Sequence, residues 1–304
     1  MSTIRRIKKV VEGRPTLEGA GVHLKRVFGY QHVPQLDPFL LLDDFHSNDP
    51  NDYIRGFPWH PHRGIETITY VLYGEVEHGD SLGNKGMISS GDVQWMTAGG
   101  GIIHQEMPRG REDGLMWGFQ LWANLPASHK MMEPRYRDVK RHQIPEVRLD
   151  GGVKVKVVCG EVGGVRGSVR DIVIDPEFLD VTVPAGTSYA HRVREGYTVF
   201  AYVVDGKGYF EPERDPYGYE VEGGNYFDFK RECLIGSDSL VIFADGQELS
   251  ISTQGEGVRF LLISGKPIRE PVAWYGPVVM NTQEELRIAF EEYQRGTFLK
   301  HTST

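Results

Sequence analysis

Two imidazoles one residue apart, His60 and His62 in "FPWHPHRGIETITYVLYG", are followed by a carboxylate, Glu66, in a run that is otherwise apolar and β-branched. Side chains alternate faces along a strand, so one strand through this stretch aims His60, His62 and Glu66 the same way. By strand rise the two imidazoles stand roughly 6 to 7 Å apart, near enough to reach one ion. A second pair, His104 and Glu106, sits in "GDVQWMTAGGGIIHQEMP", again two apart and again on one face. Gly99, Gly100 and Gly101 before it allow a tight backbone turn. The pair lies between two strongly apolar segments, "VQWMTAG" and "MWGFQLW", where ionisable groups without partners are costly. A divalent transition ion satisfies imidazoles and carboxylates together, so the chemistry in view is metal ligation. The isolated histidines His78, His129 and His142 are expected to be ordinary core or surface residues.

The elements that must position these groups read as strands. Apolar runs of five to eight residues, rich in Val, Ile, Tyr and Phe, recur between Gly, Pro, Asn and Asp, as in "ETITYVLYG", "YTVFAYVVDG" and "VRFLLISG". That rhythm predicts an all-β sandwich or barrel. One helix is expected, in "MNTQEELRIAFEEYQRG", with Thr282 and Glu285 as a capping box. Its apolar face is Leu286, Ala289, Phe290 and Tyr293, and Gly296 is its stop. The proline-bearing, charged stretch "NLPASHKMMEPRYRDVKRHQIPEVRLDGG" breaks the strand rhythm and reads as a connection between two halves. Both halves run strand, glycine turn, strand, then Gly-Asp or Ser-Asp, strand, glycine.

Bulk composition narrows the class. The chain has 304 residues, 25% of them charged, with a formal net charge of −8, which argues against a nucleic-acid surface. The basic run in "MSTIRRIKKVV" reads as solvated charge, and no apolar stretch follows it as a signal peptide requires. No run of roughly 18 apolar residues suggests a membrane span. Two cysteines, Cys159 and Cys233, both in apolar contexts, are expected to be buried thiols of a reduced, cytoplasmic protein.

Taken with the order of its glycines, the histidine pattern resembles the two cupin motifs: Gly56, His60, His62, Glu66 and Gly74, then Gly91, Gly101 and His104. It departs from them in a short first spacing, two extra residues in the second motif, and Thr97 where a proline is usual. Together with "LDPFLLLDDF", "FQLWANLP" and "GPVVMNTQEEL", these stretches resemble the pirin family from about residue 15 to about residue 295. The resemblance implies a bicupin of two antiparallel β-barrels: a metal-binding N-terminal one in residues 1–135, and a second, without ligands, in residues 136–304 together with the helix. It implies ligation of one metal by His60, His62, His104 and Glu106. Glu66 is then left to orient a ligand or water, or to make a structural hydrogen bond.

In the second half, His191 remains but Val193 and Leu249 fall where further ligands are required, so no ion is expected there. Three imidazoles and a carboxylate leave two positions open on a six-coordinate ion, as in non-haem iron oxygenases. Fe(II) is the expected ion, with Mn, Ni, Co, Cu and Zn accepted by the same donors. Similarity to pirins implies dioxygenation of a flavonol such as quercetin by O2, with Glu106 or Glu66 as the base. Phe57, Trp59, Trp95, Met96 and Met107 are candidates for an apolar mouth. The alternative that the same resemblance implies is a metal- and redox-responsive regulator that binds a protein partner without turnover. A monomer is expected in either case.

Overall fold

Strict alternation of buried and less buried side chains shapes one of the site-bearing strands. In Ile102–Arg109 the buried positions are Ile102, His104, Glu106 and Pro108. The computed structural model describes residues 3–223 and 232–301. Its elements are strands, short 3-10 turns and, among the described residues, one α-helix, α1 (Gln283–Gln294). No helix among those residues is long and apolar enough to cross a membrane. The protein is an all-β fold, as its strand rhythm predicts.

Contacts divide the chain into two units, one of residues 15–143 with 268–304, the other of residues 1–14 with 144–267. This corrects the division at residue 135 at both chain ends. The strand Ile7–Glu12 belongs with the second unit, pairing antiparallel with Ser239–Phe243. Its Ile7 and Val10 sit in a core cluster with Val241 and Phe243. The helix belongs with the first unit. Leu286 and Ala289 share a cluster with Val278, Met280 and Phe298, and Ile103 packs against it. The capping box is present, with Glu285 N donating to Thr282 Oγ1 at 3.2 Å and Thr282 N to Glu285 Oε2 at 2.9 Å. Of the expected apolar face, Tyr293 is exposed.

Among the described residues the first unit has two large sheets and a two-stranded one, Ala273–Tyr275 with Val278–Met280. One large sheet has the strand order Arg135–Val139, Val93–Thr97, Ile65–Tyr73, Met116–Asn124, Phe39–Ser47, Val22–Phe28, Arg14–Glu18; the other has Phe57–His62, Ile102–Arg109, Glu75–Asp80, Lys85–Ser89. All of their pairings with a given register are antiparallel. A corner at Arg63 and Gly64 separates Phe57–His62 from Ile65–Tyr73, which lie in different sheets. Gly64 has φ +80°, and a Cβ there would collide with Val279 O, so only glycine serves.

In the second unit the largest sheet has nine strands, including Lys154–Cys159, Glu177–Val183, Val258–Gly265 and Thr198–Gly208. Cys159 is buried as expected, Cys233 only half so, and neither is in a disulfide. Residues 229–231 of the apolar context read around Cys233 lie outside the described residues.

Candidate metal centre

His60 and His62 end one edge strand, and His104 faces them from the next: the register pairs His104 with His60 and Ile102 with His62. The three ring centroids stand 4.4, 4.8 and 5.0 Å apart. One nitrogen from each ring falls within 4.8 Å of the others, the one such group of three or more metal-ligating side chains among the described residues.

Hydrogen bonds fix which nitrogen faces inward. His60 Nδ1 lies 2.8 Å from Pro58 O, and His62 Nδ1 lies 3.0 Å from Pro277 O. A carbonyl only accepts, so each Nδ1 carries the proton and each Nε2 presents a lone pair. These two Nε2 atoms are 3.1 Å apart, an arrangement that a shared cation relieves. His104 is fully buried and neither of its ring nitrogens has a hydrogen-bond partner. Burial holds the His62 and His104 pKa values well below the usual imidazole value, and the neighbouring histidines push in the same direction. Neutral rings with converging lone pairs and an orphaned buried imidazole fit a transition ion.

Glu106 faces the same interior but its carboxylate is not in the imidazole group. Thr69 Oγ1 donates to Glu106 Oε1 at 3.0 Å, and Gln120 Nε2 donates to Oε2 at 2.8 Å. Gln120 Oε1 in turn accepts from Trp122 Nε1 at 3.2 Å, which sets the orientation of the amide.

Glu66 is elsewhere. The corner at Gly64 breaks the strand, so parity does not carry from His62 to Glu66. Three positions from Thr69 on one strand, Glu66 points to the opposite face of the seven-stranded sheet. There it is fully buried and accepts from Thr97 Oγ1 at 2.6 Å and Trp95 Nε1 at 3.1 Å. Burial raises its pKa, against the pull of those two bonds. Glu66 therefore makes structural hydrogen bonds and does not reach the imidazoles.

His60 and His62 line a cavity of about 680 Å³. Of the expected mouth residues only Phe57 lines it; Trp59 is exposed, and Trp95 and Met96 are in the core. Its other aromatic walls are Tyr30, Trp122, Trp274 and Tyr275. Trp122 stands edge-on to His62 at 5.0 Å, Trp274 is 5.9 Å from Trp122, and Tyr30 is 5.6 Å from Trp274. Rings thus run from the imidazoles to Tyr30, which is 69% exposed. Trp122 was missed, although its place two residues after Gln120 on one strand puts both on the same face. Trp274 and Tyr275 were not legible, because nothing local says that "AWYGP" returns to the first unit.

His142 is exposed and His129 half-buried, both ordinary residues as expected. His78 is buried, stacks on Tyr136 and has its Nε2 3.5 Å from Asp138, beyond an ordinary hydrogen bond. In the second unit His191 Nε2 lies 2.9 Å from Glu177 Oε2, so its partner is a carboxylate and not the aliphatic neighbours expected.

A strand unit with an inward histidine triad is the mark of a cupin, and a second strand unit without the triad in the same chain makes a bicupin. The chain belongs to the pirin family. Residues 21–123 match the family model described as Pirin, and residues 178–299 the one described as Pirin C-terminal cupin domain. A relative from Pseudomonas aeruginosa, provisionally named a quercetin 2,3-dioxygenase, is 41% identical over 97% of this chain and 99% of its own. The pirin of Homo sapiens is 35% identical over 97% of this chain and 94% of its own. The crystal structure of a quercetin 2,3-dioxygenase from Acinetobacter baumannii superposes with a TM-score of 0.83 at 30% identity, covering 97% of this chain and 99% of that one.

Proposed function

We propose that the chain is an Fe(II)-dependent dioxygenase that opens the central ring of flavonols such as quercetin, consuming O2 and releasing carbon monoxide. The observation that carries this reading is the convergence of three neutral imidazoles at the end of an aromatic-walled cavity. The names of the Pseudomonas and Acinetobacter relatives support the substrate class.

His60, His62 and His104 would hold the ion, the first two through Nε2, and Glu106, which faces the same interior from outside the imidazole group, would be the carboxylate beside it. When bound, the ion supplies a Lewis acid for a phenolate oxygen and exchanges electrons with O2. The chain's own contribution is positional. Trp122 and Trp274 offer flat apolar surface for a planar ligand. Glu106, held by Thr69 and Gln120, takes the proton of the flavonol 3-hydroxyl. The test is anaerobic loading with Fe(II), then addition of quercetin and O2. About one O2 consumed per quercetin is the expected result; full loading with no oxygen uptake would overturn the reading.

A further inference from the structure

The inner face of the seven-stranded sheet carries a polar row. Cross-strand register places Arg26 opposite Asp43, Asp43 opposite Gln120, Gln120 opposite Thr69, and Thr69 opposite Gln94. Directly opposed residues share a face, so these side chains lie side by side. Gln120 and Thr69 are already assigned, as the holders of Glu106. Two strands away from Thr69, by strand spacing roughly 10 Å, Asp43 also lines the cavity and is almost fully buried.

Asp43 is not simply neutralised. Arg26 Nε and Nη2 donate to its two oxygens at 2.9 and 2.8 Å, and Arg26 Nη1 is 2.8 Å from Glu18 Oε1. Two carboxylates thus face one guanidinium, and three of its five N–H groups are taken. A carboxylate accepts about four hydrogen bonds, so Asp43 keeps capacity that Arg26 does not fill. This end of the cavity offers acceptors with a net negative charge. The groups that suit it are neutral donors, and a ligand anion is repelled.

We propose that Asp43, held by Arg26, is the second anchor of the cavity and accepts a hydrogen bond from a hydroxyl on the outer ring of a planar aromatic ligand. The proposal rests on the flavonol reading and deepens it: the ligand class is a polyphenol with hydroxyls at both ends, and carboxylated or sulfated aromatics are excluded. Asp43 is a specificity-determining residue in this account and touches no reacting atom. Burial pushes its pKa up to about 6 against the opposing effect of Arg26, so it is ionised, and an acceptor, at neutral pH.

The experiment is anaerobic titration of the full chain with quercetin, which has hydroxyls on both outer rings, and with 3-hydroxyflavone, which has none there. Quenching of the tryptophan emission reports binding, since Trp122 and Trp274 line the cavity. The parent should bind quercetin roughly tenfold more tightly, the usual worth of a hydrogen bond to a charged group. In Asp43→Asn the two affinities should converge to within about twofold through weaker quercetin binding alone. The double variant Arg26→Met/Asp43→Leu leaves no buried charge orphaned, since the side chain of Glu18, which also loses Arg26, is exposed to solvent, and it guards against a folding defect; it should behave the same way. A parent without preference, a preference that survives in either folded variant, or equal weakening of both ligands overturns the proposal. Oxygen uptake measured in parallel separates the two readings. No turnover with an Asp43-dependent preference removes the dioxygenase and keeps the anchor; turnover with an unmoved preference does the reverse.

Discussion

Glu66 and Glu106 are forty residues apart and both nearly sealed from solvent, yet they belong to different sheets, and Glu66 points to the face of the seven-stranded sheet that lies away from Glu106. That difference makes opposite predictions. Glu66→Gln exchanges one accepting oxygen for a donor beside Trp95 and Thr97, and should lower stability by about 1–3 kcal/mol in denaturant unfolding. Its turnover per bound metal should stay within about twofold of the parent. Gln120→Leu breaks the bond to Glu106 Oε2 and the one from Trp122, and should lower kcat roughly 10- to 100-fold with metal content retained. Asp43 gives a pH signature. Its folded pKa, about 6, lies above the unfolded value near 3.8, so between those values the folded state binds more protons and stability from this group falls as pH rises. Asp43→Asn should flatten that fall, worth on the order of 3 kcal/mol, when melting is followed from pH 4 to pH 7. The inward aim of His104 and Glu106 was legible because period-2 alternation holds along Ile102–Arg109, whereas the choice of Glu106 over Glu66 came from the family resemblance. Glu66 was misread because a two-residue corner resets the parity, and a glycine after an arginine does not announce that in the sequence.

At the scale of elements, the segment after residue 267 does more than cap the fold. Pro277 O accepts from His62, and Lys130 Nζ donates to Gly64 O, Asn124 Oδ1 and Val279 O at 2.7 to 2.9 Å. Arg63, next to His62, donates to Glu292 on α1 at 2.8 Å and to Phe298 O at 2.6 Å. Only 2% of Arg63 is exposed, so removing its acidic partner strands a buried guanidinium. Glu292→Ala should destabilise the protein by about 2–4 kcal/mol and weaken metal retention during dialysis, although it lies far from any ligand in sequence. The helix itself was legible from Thr282, Glu285 and its apolar spacing. Where it docks was not, because Leu286 and Ala289 are equally able to enter either core and only the tertiary partners Val278, Met280 and Ile103 decide.

For the whole molecule, the strand rhythm and the internal resemblance of the halves were enough to indicate two β units. Their exchange of chain ends was hidden, since a strand such as "IKKVVE" carries an alternation that any sheet edge accepts. The loss of ligands in the second half was visible at Val193 and Leu249, and the sequence could not show that His191 is held by Glu177. The proposed function stands on one property: the first unit gathers three imidazoles within reach of a single ion. The most direct measurement is metal content by elemental analysis after purification without added metal, on the parent and on His62→Ala with its fold verified by circular dichroism. The account predicts about one equivalent of a divalent transition metal in the parent and almost none in the variant. Equal metal in both, or a parent that stays metal-free after anaerobic Fe(II) loading, would contradict it.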